Sequence, residues 1–112
     1  MSDLTIVSSR GSIIISRDVV GEIVAETAAR CYGVIGLAPA SRVGRLFRRD
    51  GVNVGGEANG LRIALHVVVE YGLNLTEVAA TVRSQVAYEV ERLTGLSVAA
   101  VEVVVEDVRV NA

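Results

Sequence analysis

Tryptophan and lysine are missing from this chain, and phenylalanine, cysteine, proline and histidine each occur once. With aromatics at 4%, the core has to be assembled from Val, Ile, Leu and Ala. Such a core favours strands, because β-branched side chains suit a pleated surface. The single thiol, Cys31, excludes an intramolecular disulfide and any multi-thiolate metal site, and suits a reducing compartment. No apolar run approaches the roughly 20 residues that span a bilayer. The most apolar stretch, residues 63–69, is broken by His66 and bounded by Arg62 and Glu70. The opening Met1-Ser2-Asp3-Leu4 lacks the basic region and long apolar core of a secretory signal. Neither export nor membrane crossing is expected, and the cytoplasm is the default location.

What is present is a high apolar fraction, 51% of 112 residues. That length suits one domain, so a single domain over residues 1–112 is expected, with residues 1–10 a loosely ordered or extended segment. The net charge of -2 makes no global field for a polyanion, so any basic chemistry has to be local. All eleven basic residues are arginine, a bias that matches codon usage in a GC-rich genome.

Periodicity divides the chain. Gly11-Ser12-Ile13-Ile14-Ile15 is a short β-branched run, after which Ser16 offers an N-cap and Asp18 a favourable charge for a first helical turn. Val20, Ile23, Val24, Thr27, Ala28 and Cys31 then share one helical face, and Gly33 is predicted to stop that helix. Val34 to Leu37 reads as a strand, ended by Pro39. Val52-Asn53-Val54 resumes a strand, and Gly55 to Gly60 reads as a turn. From Leu61 the alternation is regular, with Leu61, Ile63, Leu65, Val67 and Val69 on one side and Arg62, His66, Val68 and Glu70 on the other. Asn74 caps a second helix with Glu77 at N3, and Leu73 can staple to Val78. Its apolar stripe is Leu75, Val78, Ala79, Val82, Val86 and Leu93, and Thr94-Gly95 ends it before a valine-rich strand. The pattern predicts an α+β fold, two helices packed on a mixed β-sheet in two layers, in the order β-α-β-β-β-α-β.

No constellation for catalysis stands out, and no cofactor or metal is expected. Cys31 falls on an apolar stripe, where a thiol behaves as a small hydrophobe, and it is expected to be buried and inert. His66 is expected on a solvated sheet face. Glu89 and Glu91 diverge on a helix, and Glu102 and Glu106 share a strand face of ordinary charge. The glycines at 55, 56 and 60 lack the Lys-Ser/Thr of a P-loop. The one unusual feature lies in residues 41–50, where Arg42, Arg45, Arg48 and Arg49 surround Phe47, in a segment that reads equally as a loop or a short helix. About four phosphate contacts give weak, unspecific nucleic-acid binding. An anionic membrane at ~1 kcal/mol per Arg gives affinity of only about millimolar order. Arg42, Arg45, Phe47, Arg48 and Arg49 are therefore the candidate partner-binding residues. A nucleic-acid binder using this segment is the alternative, and an enzyme built on His66 or Cys31 a third reading.

The order of motifs resembles the alkaline shock protein family of Gram-positive and related bacteria. The resemblance runs from Gly11 to Val108. It rests on Gly11-Ser12-Ile13-Ile14-Ile15-Ser16 with Val19-Val20, on Gly33-Val34-Ile35-Gly36-Leu37 and on Val68-Val69-Glu70-Tyr71-Gly72. It continues through Val78-Ala79, Val82, Val86, Thr94-Gly95-Leu96 and Val101-Glu102-Val103. The resemblance implies a non-enzymatic protein of envelope stress and homeostasis, held at the cytoplasmic face of the membrane by a small membrane-anchored partner or by self-association. A neighbouring kinase acting on small hydroxylated or acyl substrates is a further implied partner. The departures are Cys31-Tyr32, where the family carries acidic and small residues, and the arginine-rich insertion.

Overall fold

The computed structural model describes residues 3–8, 10–38, 51–57 and 60–110. The elements are β1 (Asp3–Ser8), β2 (Gly11–Ser16), α1 (Arg17–Ala29), β3 (Val34–Leu37), β4 (Val52–Glu57), β5 (Gly60–Glu70), α2 (Leu75–Thr94) and β6 (Val98–Arg109). The predicted α+β class and element order stand, with one strand added at the start. Asp3–Ser8 pairs antiparallel with β2 as a two-stranded sheet, from Asp3 opposite Ser16 to Ser8 opposite Gly11.

β5 is the spine of the second sheet. Along one edge it pairs in parallel with β6, and along the other it pairs antiparallel with β4 and then β3, placed end to end. Parallel pairing of β5 and β6 requires a long crossover, which α2 supplies. The alternation read from the sequence is the burial pattern: Leu61, Ile63, Leu65, Val67 and Val69 are all buried under the helices, with Leu65, Val67 and Val69 wholly inaccessible. Val52 and Val54 of β4, Val20, Val24 and Ala28 of α1, and four valines of α2 complete this core.

Both helix starts form as their sequences specify. Ser16 Oγ accepts the Asp18 amide at 3.0 Å, and Asn74 Oδ1 accepts the Glu77 amide at 3.0 Å, each satisfying a donor that the first turn leaves unpaired. Arg17 Nη1 also donates to Val54 O at 2.8 Å, tying the start of α1 to β4. Three local expectations are corrected. First, α1 ends at Ala29 with Arg30 as its C-cap, before Gly33 is reached. Gly33 serves a different purpose: at φ +92°, a Cβ there meets Leu73 Cδ1 at 2.8 Å and Val78 Cγ2 at 3.0 Å. The absent side chain leaves the room that Leu73 and Val78 take up against the turn. Second, the buried row of α2 is Val78, Val82, Val86 and Val90, whereas Leu75 and Leu93, in its first and last turns, are exposed. Third, Gly55 and Gly56 belong to β4, opposite Arg62 and Leu61, so the strand runs on to Glu57 within the stretch expected as a turn.

Candidate functional site

The candidate residues Arg42, Arg45, Phe47, Arg48 and Arg49 lie outside the described residues, but both flanks of their segment lie within them. β3 reaches Val67 of β5 through Leu37, and β4 starts opposite Leu65 at Val52. The junction between them falls on His66. Its carbonyl accepts the Ala38 amide at 2.9 Å, and its own amide donates to Gly51 O at 2.8 Å. The chain therefore leaves β5 and returns to it at one residue. Gly51 has φ +75°, and a Cβ there lies 2.9 Å from His66 O and 3.0 Å from Ala38 O. Only glycine brings the two ends this close without strain.

The His66 side chain corrects the expectation of a solvated face. Its ring is 17% exposed, and Nδ1 pairs with Glu106 Oε2 of β6. The β5–β6 register shifts between Val105 and Asp107, just past this pair. Glu106 thus has a specific partner on the strand face that it shares with Glu102. Val68, on the same side of β5 as His66, is 4% exposed. Sequence reasoning missed this pair because the partners are 40 positions apart and meet only through the β5–β6 register.

Cys31 also departs from expectation. It lies one residue past the cap of α1 and is half-buried, with Sγ donating to Thr27 O at 3.4 Å. Burial pushes its pKa up, and the Arg30 charge offsets this only in part. The thiol is therefore protonated at neutral pH, the less reactive form. It borders a shallow cleft between α1 and α2, beside Arg30, Tyr32, Thr81 and Glu89. Among the described residues no group of three or more His, Cys, Asp or Glu side chains could hold a metal ion.

Two surface features were not foreseen. Ile13 and Ile14 are 62% and 63% exposed, because the β1–β2 hairpin packs on the core near its base, where Leu4 is buried, and not towards its tip. All three tyrosines, Tyr32, Tyr71 and Tyr88, are exposed. No helix among the described residues is long and apolar enough to cross a membrane.

Comparison with known proteins agrees with this architecture. The chain is similar to YloU of Bacillus subtilis (strain 168), at 32% identity over 109 residues, covering 90% of this chain and 91% of that protein. It is also similar to Spy1614 of Streptococcus pyogenes serotype M6, at 29% identity over 108 residues and 89% of each. Among solved structures it resembles the copper form of MamM CTD, with TM-score 0.60, 14% identity, and coverage of 85% of this chain and 89% of that one. A zinc form of a MamM CTD variant matches at TM-score 0.52 and 14% identity, over 86% and 87% of the two chains. At such identities the likeness is one of fold alone. Residues 5–110 match the model of the alkaline shock protein 23 family, which is described as having a "cell envelope-related function", and with nearly the whole chain so matched, the protein belongs to that family.

Proposed function

We propose that this protein is a non-enzymatic docking and self-assembling domain of the envelope stress response or homeostasis, acting at the cytoplasmic face of the membrane through a protein partner. The observation that carries the reading is the pinning of Ala38 and Gly51 to His66. A rigid central strand sets both ends of the arginine segment at one point, as expected of a binding loop presented by a scaffold. Arg42, Arg45, Phe47, Arg48 and Arg49 are the docking residues. Four arginines supply too little attraction for stable attachment to an anionic surface by themselves, so a partner is required. The family's cell envelope-related description supports attachment through such a partner.

The test is fractionation of cells carrying either the native protein or a variant with Arg42, Arg45, Arg48 and Arg49 replaced by Ser. The native protein is expected in the membrane fraction together with a cross-linkable membrane protein, and the variant in the soluble fraction with unchanged thermal stability. A native protein absent from membranes, or one whose cross-links are to RNA that survives high salt, overturns the reading.

A further inference from the structure

The geometry points to the outer edge of β6 as the seam of a homodimer, two copies pairing antiparallel with Val103 opposite its own counterpart. The inference rests on the self-assembling part of the proposed function and names its surface. Among the described residues β6 pairs with β5 alone, so a 12-residue strand presents one unpaired edge. Long β-branched edges are templates for further pairing, and proteins usually blunt them.

The hydrogen-bond parity identifies which backbone groups face out. Leu61 N donates to Ser97 O, and Tyr71 N donates to Arg109 O. In a parallel ladder these bonds, with the register of Ile63 opposite Val101 and Leu65 opposite Val103, turn Ala100, Glu102 and Val104 towards β5. Val98, Val101, Val103, Val105 and Val108 turn outward. The two terminal members are already covered: Glu91 Oε2 accepts the Val98 amide at 2.8 Å, and Asp107 Oδ1 accepts the Val108 amide at 2.8 Å. Register shifts next to Ala99 and Glu106 bound the same stretch. The strand is therefore blunted at both ends and left open at Val101, Val103 and Val105.

That open stretch is self-complementary. Setting Val103 on Val103 of a second copy places Val101 opposite Val105 in the same hydrogen-bonding phase, and Glu102 opposite Val104. Moving the centre to Glu102 sets two carboxylates face to face, which is destabilising. The core faces also match. Ile63, Leu65 and Val67 of β5 are at most 3% exposed, while their β6 neighbours Val101, Val103 and Val105 are only half-buried. A second sheet continuing β6 completes the covering of these valines, as in homodimer interfaces that resemble a divided core.

The purified protein is followed by sedimentation across concentration, with Val103→Pro as the first variant. The Val103 amide points away from β5, so proline there leaves the β5 ladder intact while removing two hydrogen bonds at the dimer axis, a loss of about tenfold or more in dissociation constant. Circular dichroism of the dilute variant reports that it is folded. The second test is mild oxidation in a Cys31→Ser background. Glu102→Cys with Val104→Cys is expected to give a covalent dimer, since opposed residues of a non-hydrogen-bonded pair lie within disulfide reach. Neither cysteine alone is expected to do so. A native protein that stays monomeric overturns both the seam and self-assembly. A dimer that forms without the double-cysteine cross-link, or that cross-links through Glu102→Cys alone, overturns the seam and leaves self-assembly standing. Membrane fractionation reads the arginine segment separately, so failure there leaves the seam untouched.

Discussion

His66 and Glu106 meet across β5 and β6 although the ladder sets Val104 opposite His66. Glu106 lies two residues beyond Val104, on the face of the sheet that carries the ring, and the same histidine holds Ala38 and Gly51 through its backbone. Side-chain pairing between β5 and β6 is thus joined to the base of the arginine segment at one residue. A double-mutant cycle with His66→Ala and Glu106→Ala is expected to give a coupling energy of about 0.5–1 kcal/mol, the range for a partly exposed hydrogen-bonded pair. Urea unfolding of the four proteins measures it, and strict additivity refutes the link.

Gly51→Ala is expected to destabilise by about 2 kcal/mol or more, since it combines a left-handed backbone with a Cβ pressed against two carbonyl oxygens. Those oxygens belong to Ala38 and His66, whose backbones are joined by the Ala38 N to His66 O bond and cannot turn aside as a side chain could. A thermal melt within error of the native protein shows that the clamp is looser than described.

On α2, Val90→Ala is expected to cost about 1–2 kcal/mol and Leu93→Ala under about 0.5 kcal/mol, because Val90 is fully buried and Leu93 is 53% exposed. The larger side chain is therefore the cheaper one to truncate. Reversal of this order in chemical denaturation returns the stripe to the phase read from periodicity.

Asn74→Ala is expected to cost about 0.5–2 kcal/mol through loss of the bond to the Glu77 amide, while Asn74→Asp retains most of the stability. Equal losses for the two variants indicate that the cap contributes through packing and not through its oxygen.

Cys31 is expected to react with thiol reagents more slowly than the unfolded chain at mildly alkaline pH. Its raised pKa also sets a sign for stability. Below the unfolded thiol's pKa both states are protonated and the group contributes no pH dependence. As pH rises past that value the unfolded chain ionises first, so stability falls until the folded pKa is passed. Cys31→Ser is expected to remove this alkaline loss. At neutral pH it is expected to change stability by under about 1 kcal/mol, since a hydroxyl can donate to Thr27 O as the thiol does. An alkaline limb identical in the two proteins assigns the loss to other groups.

What neighbouring residues settle among themselves is legible along the chain. The caps at Ser16 and Asn74 follow from side chains reaching amides two or three positions away, and the buried face of β5 follows from a period of two. These signals act within a few residues, so they survive without knowledge of the rest. The α+β class then follows from burying each apolar face once. Which strand lies beside which is set by the packed fold. It set β3 and β4 end to end on one edge of β5, made His66 the meeting point of Ala38, Gly51 and Glu106, and left β6 paired with β5 alone among the described residues. It also decided that Val90 and not Leu93 is buried, and that Cys31 sits past its helix. Each of these depends on register, bulges and the covering of one layer by another, which no periodicity along the chain encodes.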